Sequence, residues 1–175
     1  NGILNKAGAS TDGKLTTNGG QFYVSGAGSN IITNLATATT KDGIFIVDAT
    51  GSNAIYSNKE LTVRGGTFEL RSNGSNLIVN TGTGNALITN TTGNREKFTL
   101  NLNATGSSAI YNGDGTKAAT LSVAGREFEI NSKNSNAINN SKASTTKIQD
   151  NIFTIDQNDS NAIRNDGSLY LLSNG

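Results

Sequence analysis

The sequence predicts an all-β fold: a right-handed parallel β-helix (β-solenoid) of about six to seven coils with three short strands in each. Three observations predict it. A short Asn motif recurs along the chain, a Phe precedes most of its copies at a fixed distance, and successive Phe residues are separated by the length of one solenoid rung.

The motif is Asn-small-Ile/Leu-x-Asn. It reads NGILN from Asn1, NIITN from Asn30, NAIYS from Asn53, NLIVN from Asn76, SAIYN from Ser108, NAINN from Asn136 and NAIRN from Asn161. The segment NALIT from Asn85 reads as a further copy. Phe22, Phe45, Phe68, Phe128 and Phe153 each stand eight residues before a motif. One coil departs from this, with Leu100 eight residues before Ser108 and Phe98 two residues further back. The Phe-to-Phe steps are 23, 23, 30, 30 and 25 residues, room for three short strands and three turns.

A third element precedes Phe by seven residues, at Leu15, Leu61 and Leu121. Apolar and polar residues alternate within each segment, and Gly65-Gly66 and Asn73-Gly74-Ser75 interrupt them. That is strand periodicity broken by turns. It points Leu61, Val63, Phe68, Leu70 and Ile78 inward in one rung, and Leu121, Val123, Phe128, Ile130 and Ile138 in a later one.

One coil cannot bury its own apolar face, but coils stacked about 4.8 Å apart pair every strand above and below. Phe then stacks on Phe and Ile on Ile. Asn30, Asn53, Asn76, Asn136 and Asn161 are expected to form a structural ladder, amide to amide, since Asn also tolerates the left-handed backbone of tight corners. Ala54, Ala109, Ala137 and Ala162 mark a corner beside that ladder.

Composition agrees. Hydrophobic residues make up 34% of the 175 residues and aromatics 6%, while net charge is +1, so repeated polar turns rather than high charge explain the lean core. His, Cys, Pro, Met and Trp are absent. That removes disulfides, Cys-held zinc and the commonest general base. No cofactor is expected. Without a basic stretch no nucleic-acid partner is expected, and no apolar run reaches the roughly 20 residues of a membrane span, so none is inserted. Residues 1–175 read as a single β-solenoid domain. The chain starts on a motif and stops just after Leu169-Tyr170-Leu171-Leu172, with no cap helix, which reads as an excerpt of a longer repetitive surface protein.

Candidate sites lie on the outward positions. Glu127 and Glu129 flank Phe128, and Glu69 falls on the same column; Arg71 and Arg126 beside them are expected to hold these acids ionised, which suits a solvated face better than a glycosidase pair. Asn112-Gly113-Asp114-Gly115-Thr116 and Asp156-Gln157-Asn158-Asp159 place oxygens at alternating positions but lack a full acidic set for calcium, and no metal site is assigned. The residues after the motif Ile or Leu are read as an outward column: Thr33, Tyr56, Val79, Ile88, Tyr111, Asn139 and Arg164. With Tyr23, Ile44 and Ile46, this gives a candidate binding or self-association face of Tyr23, Tyr56, Tyr111, Arg164, Glu69, Arg71, Glu127 and Glu129. Regular outward Thr columns, as ice binding needs, are not expected, because Thr37-Ala38-Thr39-Thr40 occurs once.

Segments such as SNAIYSNKELTVRGGTFEL (52–70) and NSNAINNSKASTTKIQDNIFTI (134–155) resemble the pectate-lyase-like adhesive domains of Gram-positive cell-surface adhesins. The passenger solenoids of autotransporters look similar too. The resemblance spans essentially the whole chain and implies an extracellular, cell-wall-anchored adhesin segment of a bacterial surface, with the anchor outside these residues. Its implied partners are host or plant glycans, extracellular matrix, or an identical solenoid on another cell, giving adhesion, auto-aggregation or biofilm. No enzyme is expected: lyases and hydrolases of this fold use clustered Asp with a catalytic Arg or Lys, and in hydrolases a His. A polysaccharide-active enzyme is the alternative reading.

Overall fold

The protein's architecture comes from a computed structural model, which describes residues 1–8, 13–90, 97–101 and 103–173. These residues form strands and turns and no helix. The coils run β1 Ile3–Lys6, β2 Lys14–Thr17, β3 Gln21–Val24; β4 Asn30–Leu35, β5 Thr37–Thr40, β6 Ile44–Val47; β7 Asn53–Ser57, β8 Leu61–Val63, β9 Thr67–Leu70. They continue with β10 Asn76–Asn80, β11 Asn85–Ile88, β12 Lys97–Leu100; β13 Ser108–Asn112, β14 Thr120–Ala124, β15 Glu127–Ile130; β16 Asn136–Asn140, β17 Thr145–Gln149, β18 Ile152–Ile155; then β19 Asn161–Asn165 and β20 Ser168–Leu172. Every third strand pairs in parallel, giving two seven-stranded sheets and one six-stranded sheet around a solenoid of about six turns.

The Asn motifs form the first sheet, from β1 to β19, and the Phe strands form the third, from β3 to β18. Phe22, Phe45, Phe68, Phe98, Phe128 and Phe153 stack in one unbroken interior column, with centroids 4.6–5.1 Å apart and ring planes within 15°. Phe98 is in register with Phe68 and Phe128, and Leu100 with Leu70 and Ile130. The odd coil therefore takes up its two extra residues in the turn after Leu100. Ile3, Ile32, Ile55, Ile78, Ile110, Ile138 and Ile163 form the aliphatic column. The small-residue position before each of these Ile residues is absent from the pairing register, and Ala54, Ala109 and Ala137 are fully buried there. Ile31 and Leu77 are buried at the same position, so two consecutive residues are buried there and strict strand alternation is broken.

The structure corrects two placements. The segment from Asn85 belongs to the second sheet, where Asn85 pairs with Thr120 and Ile88 lies between Val63 and Val123. It stands only nine residues after Asn76, too near to begin another coil, and its Ile88 is buried rather than outward. Likewise Thr33 and Val79 are each only 8% exposed, so the column after the motif Ile is less open than expected. The Thr33 hydroxyl is drawn into bonds with Asn1 and Asn30.

The outer Asn column is bonded as the motif suggests. Asn53 donates to Asn30 at 2.8 Å, Asn76 to Asn53 at 3.3 Å and Asn161 to Asn136 at 3.0 Å, while Ser108 takes the place of Asn between the two runs. A second, deeper column comes from the last motif residue. Asn5 donates to Asn34, Asn34 to Ser57 Oγ, Asn80 to Asn112, Asn112 to Asn140 and Asn140 to Asn165. These amides also bond backbone carbonyls of the next turn, among them Glu60, Thr120 and Thr145. At the other end of the motif, Ser52, Ser75, Ser107, Ser135 and Ser160 each accept a backbone N–H from the preceding coil. Buried polar groups must be bonded, and stacking lets one solution serve every coil.

The corner between the second and third sheets changes along the axis. Gly20, Gly43 and Gly66 precede Phe by two residues at φ 110°, 131° and 98°. A Cβ on Gly66 would lie 2.9 Å from the Gly43 carbonyl oxygen, so only Gly fits there. Further on, the positive φ moves back one residue, to Gly125 and Asp150. Residue 126 is thereby freed to carry a side chain, and it is Arg.

Candidate functional site

Over its middle coils the outward face of the third sheet carries a cluster of paired charges, with Ile44, Ile46 and Ile152 on the coils outside it. Arg71 grips Glu69 through Nε and Nη2, both at 2.8 Å, and the Asn101 amide donates to the same carboxylate. On the neighbouring coils Lys97 lies 2.8 Å from Glu129 and 3.3 Å from Glu127, and Asn131 donates to Glu129 at 3.0 Å. Glu69 and Glu129 occupy one column, separated by Thr99. Arg71 above all holds the Glu69 carboxyl below its ordinary range; the Asn131 amide and then Lys97 do the same for Glu129. Their carboxylate hydrogen bonds in turn raise Arg71 and Lys97.

Arg126 does not take part, contrary to the expectation from sequence. It is fully buried, stacks 4.7 Å over the Phe98 ring and donates from Nη2 to the Gly66 carbonyl at 2.8 Å. Among the described residues Lys97 is the cation that serves Glu127 and Glu129. The register explains why: Lys97 is paired with Glu127, on the outward face.

The proposed face divides between two sheets. Tyr23, Glu69, Glu127 and Glu129 belong to the third, with Arg71 just past the end of β9, whereas Tyr56, Tyr111 and Arg164 lie on the first. Tyr23 is 57% exposed, and its hydroxyl donates to Asp48 at 2.7 Å, which raises its pKa. Tyr56 and Tyr111 are half-buried and in register on either side of Val79, so their rings flank an aliphatic side chain rather than each other. No protein-family model, curated protein or solved structure matches this chain.

The second sheet adds a feature that the linear sequence conceals. Thr16, Thr39 and Thr62 stack in one outward column, which continues as Leu87, Ser122, Lys147 and Tyr170. Thr39 therefore has Thr neighbours after all, but across coils, and the column loses its uniformity at Leu87.

The loop after β13 uses its acid internally. Asp114 Oδ1 accepts from the Thr116 N–H and hydroxyl and from the Lys117 N–H, and Oδ2 accepts from Thr81. These bonds, that of the Thr116 hydroxyl first, hold its carboxyl well below the ordinary range. Asn112, placed with it as a possible oxygen ligand, is buried in the deep amide column. The arrangement is a self-closed turn. No cluster of three or more metal-ligating side chains occurs among the described residues.

Proposed function

We propose that the chain is a non-catalytic adhesive segment of an extracellular bacterial surface protein, whose flat strand faces engage a repetitive glycan or matrix, or an identical solenoid on another cell. The observation that carries this reading is the state of the outward carboxylates. Glu69 and Glu129 are bonded and ion-paired so that both stay charged. Acid–base cleavage of a glycosidic bond needs one carboxyl held protonated, and these are built the opposite way. What the face does offer is a row of strands about 4.8 Å apart that carries charges, hydroxyls and apolar side chains in a varied order. Weak contacts repeated at that spacing add through multivalency.

Sedimentation of the purified chain over a range of concentrations, together with a glycan array, tests the reading. Association that grows with concentration, or retention on a set of glycans, is expected. A strict monomer that leaves the array blank removes the proposal. Turnover of pectin or another acidic glycan replaces it with the polysaccharide-active alternative.

A further inference from the structure

The turn after Leu100 is two residues longer than its counterparts in the neighbouring coils. Eight residues separate Phe68 from Asn76 and Phe128 from Asn136, but ten separate Phe98 from Ser108. Strand pairing is in register on both sides of this turn, with Leu100 between Leu70 and Ile130 and Ser108 between Asn76 and Asn136. The extra length therefore has to leave the stack. Ala104 is buried and its N–H closes on the Asn101 carbonyl at 2.9 Å, while Asn103 and Thr105 stand exposed. Two shallow clefts open beside this turn. One cleft, of about 620 Å³, runs toward the last coils past Asn101, Glu129, Asn131, Asp156 and Gln157. The other, of about 410 Å³, runs toward the first coils past Arg71, Ser72, Asn73 and Thr105. Asn103 borders both.

We propose that these two clefts form one groove, parallel to the solenoid axis, that binds a neutral polyhydroxylated glycan chain. The inference rests on the adhesive reading and gives it a site. The linings are amides, hydroxyls and carboxylates; each Asn or Gln offers both donors and acceptors, the combination that sugar hydroxyls require. Charge selects against acidic chains. Among the described lining residues Arg71 is held by Glu69 and Glu129 by Lys97, which leaves the exposed Asp156 carboxylate as the charge that meets a ligand. An anionic glycan would meet like charge without a free partner. Arg71, Asn101, Asn131 and Asp156 follow the third-sheet strands at equivalent positions, so a polar group recurs in each coil along the axis although its chemistry changes.

The test is a glycan array, followed by titration of the best neutral oligosaccharide, using the wild-type chain, Asn103→Trp and Asp156→Ala. Asn103→Trp fills the groove at its centre, and affinity should fall at least tenfold. Asp156→Ala removes one acceptor at an exposed position and should weaken binding by a smaller factor. Polygalacturonate should bind less well than the neutral chains. Unchanged thermal midpoints in both variants establish that the fold is intact. Neutral-glycan binding that survives both substitutions undiminished overturns the groove and leaves the adhesive reading standing. A blank wild-type array overturns the groove and the glycan half of that reading together. Preference for polygalacturonate removes the neutral class.

Discussion

Arg126 lies over Phe98 with its guanidinium carbon 4.7 Å from the ring centroid, and from there reaches the Gly66 carbonyl, two coils from its own. A charged side chain inside a solenoid is retained only if it is bonded and stacked, and the shift of the positive-φ residue from Gly66 to Gly125 makes room for one. The guanidinium thus ties three coils along the axis, which the strand ladders do only between neighbours.

Removing this tie should be costly. Arg126→Ala leaves a cavity beside the Phe column and takes away the donor to Gly66, with a loss of about 3 kcal/mol. Arg126→Met keeps most of the stem and should lose roughly half of that. Urea denaturation followed by circular dichroism would show this as two graded shifts in midpoint. Equal midpoints for wild type and Arg126→Ala would mean that the buried charge contributes nothing net.

The Phe column should respond by position. Phe68 is fully buried between Phe45 and Phe98, whereas Phe22 is stacked on one side only and partly exposed. Phe68→Ala is expected to cost about 3–5 kcal/mol and Phe22→Ala distinctly less. Because a solenoid is stabilised between nearest neighbours, Phe68→Ala should also open hydrogen exchange most strongly in coils adjoining the lesion. A uniform loss of protection along the axis would contradict that local coupling.

Of the two amide columns, the deeper one should matter more. Asn112 is fully buried; it donates to Asn140, the Thr145 carbonyl and the Thr146 hydroxyl, and accepts from Asn80. Asn112→Ala strands several buried partners at once and should destabilise by about 2–3 kcal/mol. Asn76→Ala removes an outer amide whose bond to Asn53 is 3.3 Å long, and should cost under about 1 kcal/mol. Thermal melts of the two variants would decide it; the reverse order would make the outer ladder the principal one.

The contrast between these columns shows what the sequence made legible. The Phe and Ile columns repeat a large apolar residue in every coil, so their spacing alone yields the fold. The second sheet is harder to find because its inward position runs Leu15, Ala38, Leu61, Ala86, Leu121, Thr146, Leu169. Large and small residues alternate there to share space, so the strand signal fades in every other coil, and Asn85 could pass for a motif of the first sheet. Arg126 escapes the strand pattern for a different reason. Strand alternation assigns its neighbours Glu127 and Glu129 to the outside, but residue 126 sits at a corner, where alternation does not apply. The groove beside Asn103 left one trace, the ten-residue spacing, and its depth depends on neighbouring coils that a linear reading does not bring together.

Acid should loosen the third sheet through a defined set of groups. Glu69 and Glu129 have folded pKa values below the ordinary carboxylate value, Glu69 chiefly through Arg71 and Glu129 chiefly through Asn131 and then Lys97. For a depressed acid the stabilising contribution is fully present above the unfolded pKa and is lost as pH falls through the folded one. The thermal midpoint should therefore hold steady from pH 7 to about pH 5 and decline below about pH 4. Both carboxylates are partly exposed and screened by solvent, so each should account for no more than about 1 kcal/mol, and less in high salt. Glu69→Gln and Glu129→Gln together should lower the midpoint at neutral pH and flatten the decline below pH 4. A double variant whose melting curve follows the wild-type pH profile unchanged would show that the ion cluster decorates this face without holding it.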